Sequence, residues 1–316
     1  MTKIESIIER AKKDPKKIVL PEASDERVLE AAKRITSEKI AEVVLLNETA
    51  DTEKYSGLAA EKFYELKKHK GVTEGDAKDA VKDPLCLAAM LTRLGIVDGF
   101  VAGAVRMTRD VVRMAINCME IDRSSAVVSG AFLMEVGNPS FGASGLFVFA
   151  DCAVIPKPSA KQLARAAISA GELLEKLFQI KPRVVFLTYS SKGSAEGESI
   201  DRAREAVEKV KEKRPDFVVD GELQLDAAIV PEIAKRKCPN SVIKGDANVL
   251  IFPNLDAGNI TYKAVERLAK ATAVGPALLG FTKPCSDLSR GCSADDIVNA
   301  VALTVVRAQL MKDEGR

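Results

Sequence analysis

An α/β fold is predicted by three features of the sequence. Short β-branched or apolar runs alternate with longer segments of helical period from end to end, the pattern of parallel strands joined by helical crossovers. Several runs are apolar throughout, as strands become when helices cover both faces of a sheet. The 316 residues, 47% of them hydrophobic, exceed what one core comfortably fills, so two lobes are expected.

Strands are expected at 17–21, 41–46, 97–102, 126–133, 146–154, 183–188, 217–220, 248–252 and 275–280, with helical patterns at 25–35, 160–178, 199–213 and 258–271. The stretch EVGNPSFGASG at 135–145 is dense in Gly, Pro and Ser and reads as a crossing between lobes. That places a first α/β domain at 1–135 plus 275–316, the last segment folding back, and a second at 136–274.

Composition excludes several classes. With 47 basic against 45 acidic side chains, a net charge of +2 gives no field for capturing nucleic acid or an anionic membrane. The amino end reads as an amphipathic surface helix and not as a secretion signal, and no apolar run approaches the ~18–20 residues of a membrane span. A cytoplasmic protein is expected, and six scattered cysteines fit reduced thiols. The single histidine, His69 in KKHK, belongs to a charged stretch, which leaves neither a Ser-His-Asp triad nor a His-rich metal site. Cys285 and Cys292 have no CxxC partner, and Cys152 in FADCAV reads as packed core. Asp295 and Asp296 are neighbours on one helix, about 100° apart, and cannot flank one bond as a glycosidase pair does. No metal or bound cofactor is called for.

Three segments could carry chemistry. In KPCSDLSRGCSADDIVN, 283–299, Ser293 and Asp296 fit an N-cap and its N3 partner, so a helix should start near Ala294 with Ser289 and Arg290 just before its positive end. Such a corner suits phosphate or a carbonyl oxygen gaining charge, and equally fits an ordinary capped helix. The loop YSSKGSAEG, 189–197, sets Ser191, Lys192, Gly193 and Ser194 between a strand and a long helix, without matching the P-loop or the dinucleotide fingerprint. The segment DAGNITYK, 256–263, brings Asn259 and Lys263 after another strand. Three polar segments at equivalent strand ends suggest one shared cleft.

Taken together, DLSRGCSADDIVN, NLDAGNITYKAVERL, YSSKGSAEG, EKRPDFVVDGELQLDAA and FADCAVIPKPSA resemble, in order and spacing, the phosphate acetyltransferase (phosphotransacetylase) family, from KIVLPEASDERVLEAA to the last helix. The resemblance implies two α/β domains with a cleft between them, a fold shared with isocitrate and isopropylmalate dehydrogenases, and a homodimer. It implies the reaction acetyl-CoA + phosphate = acetyl phosphate + CoA, with coenzyme A as substrate and no cofactor. It places the family's Ser-Arg pair on Ser289 and Arg290, its catalytic aspartate on Asp296, and a coenzyme A-associated arginine on Arg93. This chain departs from the family at Cys285-Ser286-Asp287, commonly VND, and at Thr261, commonly Gly. It also departs at 104–113, AVRMTRDVVR, where Arg106, Met107 and Arg109 fall at or near the cleft rim.

The implied chemistry needs a proton taken, an oxyanion held and phosphate neutralised. These tasks fall to Asp296, to Arg290 with neighbouring N–H groups helped by Lys192, and to the Ser289 hydroxyl for positioning the thiol. An aspartate near pKa ~4 and a thiol near ~8.5 differ by roughly 4.5 units, about 6 kcal/mol against complete transfer, so either the aspartate is raised or transfer is concerted. Rival readings are a phosphate butyryltransferase, a non-catalytic coenzyme A or acyl-phosphate sensing module, and a nicotinamide-dependent dehydrogenase of the same fold. The last would want a carboxylate-rich magnesium or manganese site that the sequence lacks.

Overall fold

The alternation read from the sequence is realised in the structure, a computed structural model that describes residues 1–46 and 51–313. In chain order the elements are α1 (Lys3–Ala11), β1 (Lys17–Leu20), α2 (Glu26–Ser37), β2 (Glu42–Leu45), α3 (Asp51–Lys67), α4 (Glu74–Ala80), α5 (Pro84–Leu94), β3 (Gly99–Ala102) and α6 (Thr108–Cys118). Then follow β4 (Ser129–Glu135), β5 (Leu146–Ala150), α7 (Ala160–Phe178), β6 (Arg183–Leu187), α8 (Glu198–Lys213), β7 (Val218–Leu223), α9 (Leu225–Ile229) and α10 (Pro231–Lys237). The chain closes with β8 (Val249–Ile251), α11 (Leu255–Leu268), β9 (Thr272–Leu279), β10 (Cys285–Asp287) and α12 (Ala294–Asp313).

Two units form. The first combines Met1–Asp122 with Phe281–Arg316, and its strands pair in parallel in the order β2-β1-β3-β10. Its centre is α12, whose residues Val301 to Ala308 are all buried, so the helix is covered on every side where a surface helix would bury one stripe. The Thr304 hydroxyl on α12 bonds Ala300 O at 2.8 Å and the Ser286 hydroxyl at 2.9 Å, and Arg307 donates to Cys285 O at 2.8 Å. These bonds lock β10 to α12, and the loop between them is thereby held at both ends. The expected amino-terminal helix is α1, opened by a Thr2–Glu5 capping box and burying Ile4, Ile7 and Ala11.

The second unit is Arg123–Gly280, with strand order β9-β4-β5-β8-β6-β7. Here β4 runs antiparallel to both β5 and β9, against the expectation of parallel strands throughout. The 135–145 stretch is accordingly not a crossing between lobes. It is the loop joining β4 to β5, closed by Val136 N–H to Gly145 O at 2.9 Å and Ala143 N–H to Leu146 O at 2.9 Å. An antiparallel pair needs only such a short connection, whereas a parallel pair needs a long crossover. Because β4 and β9 share this sheet, the division falls at Asp122 and Phe281, not at 135 and 275 as expected. The core of this unit gathers Phe132, Phe147, Phe149 and Phe252, with Tyr262 of α11 stacked on Phe132 at 4.0 Å between ring centres.

One glycine in this unit tests the packing. In a helix interior Gly→Ala ordinarily gains roughly 1 kcal/mol. At Gly171 of α7, however, a Cβ would lie 2.4 Å from the ring of Phe217, which is itself only 6% exposed and carries the Arg214 guanidinium 3.8 Å from its ring centre. Overpacking of about 1–3 kcal/mol then outweighs the propensity gain. Gly171→Ala is expected to lower the denaturant midpoint, and a raised midpoint would show that Phe217 can yield.

Candidate active site

The corner after β10 forms as its residues dictate. Ser293 N–H and hydroxyl both donate to the Asp296 carboxylate, at 2.8 and 2.9 Å, and Asp296 N–H donates back to the Ser293 hydroxyl at 3.2 Å. This is the expected capping box, and α12 starts at Ala294 as anticipated. The turn before it closes with Cys292 N–H on Ser289 O at 2.9 Å, while the Ser289 hydroxyl accepts Gly291 N–H at 3.2 Å. The Arg290 side chain is exposed at the tip. Ser289 and Arg290 thus lie in the turn before α12 and Asp296 in the first turn of that helix.

What fixes that turn lies in residues that sequence reading did not single out. Arg27, at the start of α2, donates to Arg290 O at 2.8 Å, to Cys292 O at 2.9 Å and to Ala104 O at 2.8 Å. It is paired with the N-cap Asp25 at 2.8 Å, and that guanidinium holds the Asp25 carboxyl below its ordinary range. One planar fork therefore ties the β10–α12 loop to the loop after β3. The second loop is seated on Glu22, whose carboxylate accepts the N–H groups of Gly103, Ala104, Val105 and Arg106 at 2.8, 2.8, 3.0 and 2.7 Å. Asp287, the last residue of β10, is 1% exposed and accepts the Thr108 hydroxyl at 2.6 Å. Burial pushes its carboxyl up to about 7. A sequence signal exists for two of these three: Glu22 stands just past the apolar strand in IVLPE and Arg27 just past a helix N-cap in SDER, whereas Asp287 lies inside the short polar strand CSD.

The other expected residues are placed differently. Arg93 lies in the last turn of α5, before β3 begins, and donates to Cys118 O at the end of α6 at 3.3 Å. The Ser289 turn follows the carboxyl end of the parallel strand β10, so Arg93 is not gathered with it. Cys152 is fully buried core, as expected, and His69 is exposed.

In the second unit the 189–197 loop closes on protein carboxylates. Gly193 N–H and the Ser190 hydroxyl donate to Glu222 at 2.8 and 3.2 Å, and Arg204 donates to both its oxygens at 2.8 and 3.0 Å. Ser191 N–H bonds the Ser194 hydroxyl at 3.0 Å, and the Ser191 hydroxyl accepts Gln224 N–H at 3.0 Å. Lys192 pairs with the buried Asp220. The donors expected to cradle a phosphate are thus already engaged, with Glu222 where an anion would sit. The DAGNITYK segment is not a loop: it forms the first turns of α11, which starts earlier than expected because Asn254 caps it, accepting Ala257 N–H at 2.9 Å. Within it Asn259 donates to Cys152 O at 3.2 Å, and the exposed Lys263 ammonium sits 4.9 Å from the Tyr262 ring centre. Among the described residues no group of three or more His, Cys, Asp or Glu could hold a metal ion, and no helix is long and apolar enough to cross a membrane.

Comparison with known proteins then decides the family. The model of the phosphate acetyl/butaryl transferase family matches residues 2–305. A phosphate acetyltransferase of Clostridium acetobutylicum is 46% identical over 330 residues, covering 98% of this chain and 99% of that protein. Among solved structures, a phosphotransacetylase from Streptococcus pyogenes superposes with a TM-score of 0.85 at 36% identity, covering 98% of this chain and 99% of that one. A 4-hydroxythreonine-4-phosphate dehydrogenase from Salmonella typhimurium, 11% identical with a TM-score of 0.51, covers 94% of this chain and 99% of that one and shares the fold alone. The chain belongs to the phosphate acetyl/butaryl transferase family. The resemblance and the dehydrogenase-like α/β fold expected from the sequence are both borne out.

Glu222 offers a direct test of the closed loop. Burial opposes its charge, yet Arg204 and the Gly193 N–H outweigh that and hold the carboxyl at about 2, below the ordinary 4.5. A depressed carboxylate stabilises the fold above pH ~4.5 and loses that contribution as pH falls through its folded value, here about 3 kcal/mol in all. The stability gap between wild type and Glu222→Gln, from denaturant melts, is expected to shrink by that order between pH 4.5 and 2. A gap that stays constant with pH would dissociate Glu222 from the loop.

Proposed function

We propose that the chain is a phosphate acetyltransferase, catalysing acetyl-CoA + phosphate = acetyl phosphate + CoA at the corner between β10 and α12. The observation that carries this is the joint placement of Ser289, Arg290 and the capped Asp296 at one strand-to-helix corner, in a chain whose near full-length relatives bear that name.

In the direction of acetyl-CoA formation, the coenzyme A sulfur attacks the carbonyl of acetyl phosphate. Its proton passes to Asp296 as the C–S bond forms; the C–O bond to phosphate then breaks with its electron pair on the phosphate oxygen, which takes that proton back from Asp296. The Ser289 hydroxyl accepts from Gly291 and keeps its own proton to orient the sulfur. Asp296 retains lone pairs beyond its two bonds from Ser293. The Arg290 fork matches two oxygens of phosphate, and the free N–H groups at the start of α12 favour the developing oxyanion. With the thiol so much less acidic than a carboxyl group, proton removal runs together with attack.

Of the basic residues read as phosphate contacts, the exposed Lys263 is proposed to hold a substrate phosphate, while Lys192 stays paired with Asp220 and Gly193, Ser191 and Ser194 serve their own loop. Coenzyme A enters as a substrate and no bound cofactor takes part. The working form is a cytoplasmic homodimer.

A thioester absorbance assay with acetyl, propionyl and butyryl phosphate separates the readings. Acetyl phosphate is expected to turn over best; preference for butyryl phosphate would favour the butyryltransferase, and turnover of none the sensing module. Ser289→Ala and Asp296→Asn are each expected to lower kcat by about 10²-fold or more. Arg290→Ala is expected to lower kcat and raise the KM for phosphate. Loss of melting temperature with kcat intact would reduce Asp296 to a helix cap.

A further inference from the structure

The corner contains a second carboxyl group that the proposed chemistry leaves unused. Asp287 ends β10, two residues before Ser289, and is 1% exposed. One oxygen takes the Thr108 hydroxyl at 2.6 Å; the other, Oδ1, is buried without a well-formed hydrogen bond, and the adjacent Leu288 N–H favours its charge without offsetting burial. Oδ1 lies against Gly103, where a Cβ would stand 2.3 Å away, so a glycine at φ 111° is what admits the carboxyl group. Gly103 N–H is itself held by Glu22. Thr108 begins α6, whose N-cap Met107 supplies no side-chain hydrogen bond, so the hydroxyl bond to Asp287 is what pins that helix end.

An ionised carboxylate with a poorly bonded, solvent-free oxygen is costly, and a neutral acid is not. The groups facing Asp287 sharpen this. Glu22, from the end of β1, is an additional negative charge; the Cys285 thiol on β10 is neutral, raised to about 12; α6 presents Thr108. On α12, Arg307 is directed to Cys285 O.

We infer that Asp287 is a positioning residue for the Ser289 turn, held as the neutral acid, anchoring Thr108 and so keeping the loops after β3 and β10 in register. Ionisation would place a second charge beside Glu22 and loosen the seat of residues 103–106, to which Arg27 ties the turn. Burial, which raises the Asp287 carboxyl to about 7, sets the range in which this occurs. The inference rests on the proposed transferase activity, and its test is arranged to fail separately.

The experiment compares kcat and KM of wild type, Asp287→Asn, Asp287→Ala and Thr108→Val with acetyl phosphate and coenzyme A from pH 6 to pH 8.5. Asparagine mimics the neutral acid, so the ratio of kcat/KM for Asp287→Asn over wild type is expected to rise roughly tenfold between pH 6 and pH 8, as a one-proton loss dictates. Asp287→Ala and Thr108→Val, which both lose the anchor, are expected to lower kcat at every pH with little change in KM, and asparagine to restore most of the loss from alanine. A ratio flat with pH, or an alanine variant as active as wild type, overturns the inference. Inactive wild type would instead sink the proposed reaction. Stability then reads the buried proton alone: a raised folded pKa stabilises at low pH and the benefit is lost as pH rises through it. Asp287→Asn should therefore gain on wild type between pH 4 and 7 and hold that margin above; no widening gap overturns the inference.

Discussion

The first unit depends on one arrangement of unlike charges at its strand ends. Four consecutive amides, Gly103 to Arg106, converge on Glu22, and one guanidinium, Arg27, accounts for carbonyls from the two loops beside it. Parallel strands end in a row of loops that have no ladder to hold them, and their backbone groups need partners from elsewhere. Here a carboxylate takes the donors and an arginine takes the acceptors. Charge-assisted bonds of this kind are short and directional, which is what loops without a ladder of their own require.

The second unit solves a similar problem with the opposite consequence. Its 189–197 loop also converges on a carboxylate, Glu222, but does so with the very donors that an outside anion would use. Comparing the two shows how little composition alone says about binding. Both loops are rich in Gly, Ser and basic side chains. In the first unit Glu22 takes the amides of the neighbouring 103–106 loop and Arg290 stays exposed; in the second, Glu222 takes the Gly193 amide of the loop itself and Lys192 pairs with Asp220.

Much of this was legible before any coordinates. The capping box at Ser293 and Asp296 could be read because it depends on a fixed local spacing, and the helix began where that spacing put it. The buried strands were legible from their apolar runs. By contrast β10 was not, since Cys285-Ser286-Asp287 is short and polar and its burial comes from β3, α12 and α6, which only the fold brings to it. The direction of β4 was hidden because an apolar strand reads alike in either sense, and with it went the domain boundary. Arg27, Glu22 and Asp287 were hidden for a further reason: each acts across a long stretch of sequence, on partners that only the topology makes near. The bond from Arg93 to Cys118 O was hidden in the same way, since it joins α5 to the end of α6.

The first unit is assembled from two pieces of chain that enclose the whole of the second. On a ribosome the segment 123–280 is complete and able to pack while β10 and α12 are still unmade. Residues Met1–Asp122 meanwhile lack both their innermost helix and the strand beside β3, so their apolar faces must wait. Ser289, Arg290 and Asp296 therefore emerge after the whole of the second unit, and nascent chains halted short of them would hold one finished body and one unclosed body, a target for chaperones.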